Sequence, residues 1–151
     1  MDLSVDVGSI FSDALTEITS TVTGLKLSVT SEETDLDFDE ISGFMSIYGR
    51  KSGFLFVSAT EEVFRILCSK MTGMSDDEIT RDDAEDIACE IVNMTGGNAK
   101  VRLMNTEDAF DITQPIVTTG DKMTLIAKRK THVISRTLSA DAVSLKLKIV
   151  F

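Results

Sequence analysis

One predicted helix carries polar side chains that could act together on a partner molecule. At about 100° per residue along residues 82–103, the positions Asp86, Glu90, Asn93 and Gly97 fall within roughly 60° of one another. A carboxylate accepts charge-assisted hydrogen bonds, whereas an asparagine amide both donates and accepts. The missing side chain at Gly97 would let the backbone of a partner approach closely. The spacing therefore predicts an exposed ridge of acid and amide groups.

The same helix allows a simpler interpretation. Every amphipathic helix has a polar face on which Asp, Glu and Asn are common, so the ridge could merely be solvated. However, Asn93, Gly96 and Gly97 are poor helix formers, and two glycines in a helix interior cost about 2 kcal/mol relative to alanine. That cost indicates a compensating need. The opposite side of the helix is predicted to be buried and consists of Ala84, Ile87, Ala88, Ile91 and Thr95.

Two other motifs are weaker candidates for chemistry. The segment Asp35-Leu36-Asp37-Phe38-Asp39 begins like a calcium-binding loop, but Glu40 replaces the turn glycine and Ser46 replaces the bidentate glutamate. We interpret this segment as a solvated acidic loop. Residues 96–100, Gly-Gly-Asn-Ala-Lys, lack the spacing of a phosphate-binding loop and follow a helix rather than a strand.

The cysteines and the single histidine receive no catalytic role. Cys68 and Cys89 form no CxxC or zinc pattern, and their positions in predicted helices indicate reduced thiols in or near the core. His132 lies in a basic stretch, Lys128 to Val133, that is predicted to be a solvated strand. A Ser-His-Asp relay is therefore not favoured.

The overall composition predicts one domain spanning residues 1–151, because 42% of the residues are hydrophobic and 26% are charged. The net charge of -10 disfavours nucleic acid and anionic membranes as partners. No apolar run approaches the roughly 18 residues that span a bilayer, and Met1 to Asp6 lack the basic region of a signal peptide. A cytoplasmic protein is expected.

The order of predicted elements indicates which fold holds the ridge. Helices are expected at 9–23, at 61–72 and from about 82 to 103, the last opened by the capping boxes Ser75–Glu78 and Thr80–Asp83. Strands are expected at 25–29, 41–48, 53–59, 110–116, 123–134 and 143–151, with a loop at 31–40 and Pro115 at an edge or bend. This pattern predicts a two-layer α+β domain with a mainly antiparallel sheet packed against long helices.

The ridge also carries a family resemblance. The run Asp86-Ile87-Ala88-Cys89-Glu90-Ile91-Val92-Asn93, continued by Met94 to Lys100, resembles the signature of the CheX/CheC/FliY family of bacterial chemotaxis phosphatases. Residues 110–120 resemble the strand of that family that contains a proline and a following glycine. Within the family, CheX resembles the chain best, because only one complete motif is present.

A second set of residues repeats the ridge spacing on the first helix, at a constant offset of 73 positions (86 − 13): Asp13, Glu17, Ser20 and Gly24. This predicts a degenerate internal repeat. Ser20 stands where the motif needs asparagine, and serine is shorter and lacks the amide fork, so the first copy should be silent. Chance similarity between two polar helix faces is the alternative.

The resemblance implies a phosphatase that hydrolyses the aspartyl phosphate of a CheY-type response regulator. Asn93 would orient the attacking water, Glu90 would pair with the lysine of the receiver, and Asp86 would extend the acidic edge. The chain would need no metal or cofactor of its own, because Mg²⁺ is expected on the receiver. The alternatives are a non-catalytic module that docks a response regulator or another chemotaxis component, and a purely structural domain.

The resemblance also implies a homodimer in which the sheet continues from one subunit to the next. The alternating C-terminal strands are expected to suit such edge pairing.

Overall fold

Three α-helices form where the sequence supplies caps. The computed structural model describes residues 6–129 and 131–151, in which the helices are α1 (Val7–Thr23), α2 (Glu61–Thr72) and α3 (Arg81–Leu103). Asp6, Thr60 and Thr80 precede them, and each side chain accepts a hydrogen bond from a backbone N–H of the first turn. Gly24 and Gly73 end α1 and α2 with φ angles of 77° and 76°, which glycine adopts without strain. The three predicted helices are confirmed.

The start of α3 differs from the prediction in one respect. Thr80 and Asp83 form a capping box, in which the Asp83 N–H donates to Thr80 Oγ1 at 3.2 Å and the Thr80 N–H donates to Asp83 Oδ2 at 2.8 Å. The other predicted box, Ser75 with Glu78, caps a separate 3-10 turn, Asp76–Glu78. One box rather than two therefore opens α3.

The main sheet is antiparallel throughout. The strands are β1 (Ser28–Glu33), β2 (Asp37–Phe38), β3 (Ile41–Gly49), β4 (Gly53–Ala59), β5 (Phe110–Ile112), β6 (Ile116–Thr119), β7 (Met123–Thr124), β8 (Val133–Ala140) and β9 (Val143–Val150). Their order in the main sheet is β1-β8-β9-β4-β3, and β5 and β6 both pair with the outer side of β3. The two remaining strands, β2 and β7, form a small sheet of their own. The predicted two-layer α+β fold is confirmed.

The strand order supports the predicted repeat. The first half contributes α1, β1, β3 and β4, and the second half contributes α3, the interrupted strand β5/β6, β8 and β9. Each half places its first strand beside the second strand of the other half, so β1 lies beside β8 and β5/β6 lie beside β3, and β4 and β9 pair at the centre. The order is therefore the same from either edge. The equivalent helices α1 and α3 also pack against each other.

The core lies between the helices and one face of the sheet. Side chains alternate along the strands, so Leu145, Leu147 and Ile149 of β9 are buried together with Met45 of β3 and Leu55 of β4. Gly43 brings α3 close to this face, because a Cβ at Gly43 would lie 2.4 Å from the Ala88 carbonyl oxygen. This close approach determines the distance between the ridge helix and the sheet.

The predicted limits of the N-terminal strand and of the loop after it are wrong. The predicted strand 25–29 is in fact β1, which runs from Ser28 to Glu33, and the predicted loop 31–40 contains the end of β1 and all of β2. Leu25 and Leu27 are buried, but they lie before the sheet. Strand β1 can contain acidic residues because it is an exposed edge strand, and Glu32 Oε1 lies 3.2 Å from Arg136 Nε.

The C-terminal strand predictions also need correction. Residues 123–134 do not form one strand, because only Met123–Thr124 pairs with β2 and the next strand, β8, begins at Val133. The predicted strand 110–116 breaks into β5 and β6 around Pro115, which has no N–H to donate and lies at the sheet edge, as predicted.

Strands β8 and β9 have neighbours on both sides, so the expectation that they suit edge pairing is wrong. The prediction that the chain lacks a signal peptide rested on Met1 to Asp6, of which residues 1–5 lie outside the described residues. Lys130, within the predicted strand 123–134, also lies outside them.

Candidate functional site

Helix α3 presents the predicted ridge to solvent. The side chains of Asp86, Glu90 and Asn93 are exposed, and within the described residues none of them has a hydrogen-bond or ion-pair partner. The predicted buried face of the helix is confirmed and consists of Ala84, Ile87, Ala88, Ile91 and Thr95. The ridge is therefore a row of unpaired acid and amide groups on a helix that is fixed to the core by its other face.

The two adjacent glycines of α3 have different roles. A Cβ at Gly96 would lie 2.5 Å from Met45 Sδ, so Gly96 allows close packing of α3 on β3. A Cβ at Gly97 would meet nothing within 4 Å. Packing accounts for Gly96 but not for Gly97, and the open space at Gly97 leaves the ridge accessible to a partner.

Alanine substitutions of Gly43 and Gly97 should have opposite effects on stability. Gly43→Ala should lower the free energy of unfolding by about 3 kcal/mol, because its Cβ would overlap the backbone of α3. Gly97→Ala should raise it by up to about 1 kcal/mol, because alanine favours the helix and the site is open. Urea unfolding measures both changes. Equal destabilisation by the two variants would contradict the different roles assigned to these glycines.

The equivalent positions on α1 differ from the α3 ridge. Glu17 forms an ion pair with Arg102 of α3, whose Nε also donates to Asn98 Oδ1 at 2.7 Å. Ser20 is half-buried, and Gly24 ends α1, whereas Gly97 lies inside α3. The α1 copy thus has no free glutamate and no amide. Spacing alone did not reveal Arg102, because its partner Glu17 is 85 residues away in sequence.

Cys89 lies beside the ridge but is a poor nucleophile. Its Sγ is 3.9 Å from the Pro115 carbonyl oxygen. Burial raises the pKa of the Cys89 thiol, and the negative charges of Glu90 and Asp86 add to the rise, so the thiol stays protonated at neutral pH. Cys68 is buried, and both cysteines are free thiols, as predicted.

The acidic segment at residues 35–39 is not a solvated loop. Asp35 Oδ1 accepts a hydrogen bond from Lys148 Nζ at 2.8 Å, and Asp39 Oδ1 accepts one from Lys146 Nζ at 3.2 Å. Asp37 Oδ1 accepts a hydrogen bond from a threonine hydroxyl of β7 at 2.8 Å. The carboxylates of Asp35 and Asp39 thus hold the segment against β9 of the main sheet. Within residues 6–129 and 131–151, no group of three or more His, Cys, Asp or Glu is placed to hold a metal ion.

The segment 96–100 and His132 were the other two candidates for chemistry. Residues 96–100 lie inside α3, where Lys100 Nζ contacts Asp111 Oδ1 at 2.7 Å, and this hydrogen bond raises the pKa of Lys100. His132 is exposed and lies outside the strands, although its backbone exchanges two hydrogen bonds of 3.0 Å with Phe151. The predicted strand at His132 is therefore wrong.

Comparison with known proteins places the ridge in a family. The sequence model of the chemotaxis phosphatase CheX family matches residues 41–138, which include the whole ridge and more than half of the chain. The chain belongs to the CheX family. The resemblance predicted from the motif is thus confirmed. No curated protein matches the chain.

Solved CheX and CheC-like structures share the whole fold. A CheC-like superfamily protein from Shewanella sp. PV-4 is 24% identical, with a TM-score of 0.85 and 98% coverage of each chain. CheX from Vibrio vulnificus is 21% identical, with a TM-score of 0.84, covering 99% of this chain and 98% of the other. CheX from Borrelia burgdorferi, solved as a complex of CheX with CheY, BeF3 and Mg²⁺, is 16% identical, with a TM-score of 0.78 and 97% coverage of each chain.

At these identities the likeness establishes the CheX fold. In the part of the chain that the structure describes, no helix combines the length and apolar character needed to cross a bilayer.

Proposed function

We propose that this CheX-family protein hydrolyses the aspartyl phosphate of a CheY-type response regulator. The observation that carries the proposal is the unpaired row of Asp86, Glu90 and Asn93 on α3, next to the open space at Gly97. The partner of the Borrelia burgdorferi relative, a CheY with BeF3 and Mg²⁺, supports a receiver as the substrate.

Asn93 is proposed to position the attacking water. Its short side chain carries one carbonyl acceptor and one amide donor, and it can reach into the pocket of a receiver. The water oxygen attacks phosphorus while the bond from phosphorus to the aspartate oxygen breaks, so the products are inorganic phosphate and the free carboxylate. Such a reaction depends mainly on positioning and electrostatic stabilisation. The chain itself needs no metal, because Mg²⁺ is expected on the receiver.

Glu90 and Asp86 are proposed to orient the receiver. Glu90 lies about one turn before Asn93 and would form a charge-assisted pair with the receiver lysine. Asp86 lies one further turn away and would extend the acidic edge of the contact. Since neither carboxylate has a partner within the described residues, no existing ion pair has to break before docking.

A non-catalytic docking module is the competing function. The same ridge could bind a response regulator or another chemotaxis component without accelerating hydrolysis, because unpaired carboxylates suit either role. The rate of dephosphorylation separates the two, whereas binding alone does not.

The test is the decay rate of a phosphorylated CheY-type receiver from the same organism, with and without this protein. We expect first-order decay to accelerate in proportion to the protein added, at substoichiometric amounts. Binding of the receiver without acceleration would favour the docking module, and the absence of both would leave the ridge without a role.

We also propose that the protein is a homodimer joined through β1. This strand is an open edge of the main sheet and is six residues long, and an unpaired edge can accept a strand from a second copy. Light scattering should then give twice the chain mass of 16.5 kDa. A mass of one chain at micromolar concentration would contradict the dimer.

A further inference from the structure

An open groove lies between α1 and α3, directly beside Asn93. Its volume is about 860 Å³, and Asn93 and Gly97 form part of its rim. The apolar side chains that line it come from both helices and include Ile18, Val22, Met94 and Val101. The groove is therefore continuous with the ridge and extends from it onto the neighbouring helix.

The apolar lining is unusual for the polar side of these helices. Val101 is 66% exposed, although burying a valine side chain lowers the free energy. Val22 and Met94 are only half-buried. The space above Gly97 is open, and residues of both helices line the groove around it, so a side chain inserted there could contact both helices.

Arg102 of α3 also lines the groove. Its guanidinium pairs with Glu17 of α1 and donates from Nε to Asn98 Oδ1 at 2.7 Å. This contact joins the two helices and neutralises the carboxylate that corresponds to Glu90 in the repeat. The α1 helix thus contributes Ile18 and Val22 to the groove beside the ridge, and its equivalent of Glu90 is already paired.

A receiver that reaches Asn93 would also cover the groove, because a specific protein interface is wide enough to include both. A specific interface covers about 800 Å² on each partner, which corresponds to a patch of roughly 16 Å radius. Val101 is eight residues beyond Asn93 in α3, or about 12 Å along the helix axis. A contact centred on Asn93 therefore includes Val101 and the facing wall of α1.

We infer that the docking surface for the receiver extends from α3 across this groove onto α1. An apolar side chain of the receiver occupies the groove above Gly97. This inference rests on the proposed function for the identity of the partner. Docking across the groove adds affinity and leaves the positioning of water to Asn93.

The test is the affinity for a receiver loaded with Mg²⁺ and beryllofluoride, measured by titration calorimetry for the wild type and for Val101→Lys. We expect the dissociation constant of the variant to rise about tenfold, because a lysine places a charge in an apolar contact. Met104→Lys is the control, since Met104 is 58% exposed near the end of the same helix but does not line the groove. It should change the constant less than twofold. Urea midpoints equal to that of the wild type verify that both variants fold.

Hydrolysis assays distinguish failure of this inference from failure of the proposed function. For Val101→Lys we expect KM for the phosphorylated receiver to rise about tenfold while kcat stays within twofold of the wild type. Unchanged binding and KM in Val101→Lys would overturn the groove as a docking surface even if the wild type is an active phosphatase. Wild-type protein that binds the loaded receiver without hydrolysing it would overturn only the proposed catalysis. Wild-type protein that binds no receiver would overturn both.

Discussion

Asn93→Ala should slow the dephosphorylation of the receiver by about a hundredfold or more relative to the wild type, while the receiver still docks. Losing one group that positions a reactant or stabilises a transition state typically reduces the rate by this order. Alanine keeps the helix, because Asn93 is exposed and contacts no described side chain through hydrogen bonds. The measurement is kcat for the phosphorylated receiver, together with the dissociation constant for the receiver loaded with beryllofluoride.

The repeat provides a matched control for this variant. Ser20 occupies the position on α1 that corresponds to Asn93, and Ser20→Ala should leave the rate unchanged. A wild-type rate in Asn93→Ala would remove Asn93 from the mechanism. A weakened affinity with an unchanged kcat would move Asn93 to a binding role and favour the docking module.

Asp35→Asn should lower the free energy of unfolding by about 2 kcal/mol. The side chain of Lys148 is 0% exposed, and its Nζ donates to Asp35 Oδ1 at 2.8 Å, to the Asp35 carbonyl oxygen at 3.2 Å and to Ser135 Oγ at 2.9 Å. Removing the carboxylate leaves a buried ammonium without its counter-ion. The expected loss is below the roughly 3–5 kcal/mol of fully buried pairs, because Asp35 is 40% exposed.

The same pair predicts how stability depends on pH. The hydrogen bond from Lys148, followed by that from the Asp37 backbone N–H, holds the pKa of Asp35 well below its usual range in the folded protein. Stabilisation by Asp35 is therefore complete above the pKa of the unfolded chain, about 3.9, and is lost as the pH falls through the folded value. Urea unfolding should show a constant difference between wild type and Asp35→Asn from pH 7 to about 5, and a smaller difference below about pH 4.

Two further variants control this prediction. Asp37→Asn should change the stability little, since Asp37 is exposed and only accepts a hydrogen bond from a threonine hydroxyl. Lys148→Met removes the buried charge, whereas Asp35→Asn leaves it without a counter-ion, so the effect of Lys148→Met should also be small. A loss from Lys148→Met as large as that from Asp35→Asn would show that the ion pair itself stabilises the fold.

The ridge could be predicted from sequence because its geometry is local. The helical period alone determines that Asp86, Glu90 and Asn93 share a face. The N-terminal cap is equally local, because the capping box needs only Thr80 and Asp83. The alternation in β9 was equally readable, but the environment of Lys148 was not. Its side chain points away from the helices, yet a segment more than a hundred residues earlier in the chain covers it.

The errors in the strands have the same origin. Residues 25–33 and 123–134 contain plausible alternation, but their limits depend on which distant strand each one meets. The salt bridge between Glu17 and Arg102 is likewise invisible to spacing, because only the packing of α1 on α3 brings these residues together. Local patterns thus predicted the exposed ridge of α3, whereas the contribution of α1 to the groove required the tertiary structure.

The interleaved strand order has a consequence for how the protein is made. Strand β1 leaves the ribosome early, but its neighbour in the described structure is β8. Strand β4 can pair with β3 at once, but its other neighbour, β9, ends at Val150. The nascent first half therefore exposes β1 and the open edge of β4 until synthesis is nearly complete, a state in which polypeptides are prone to associate.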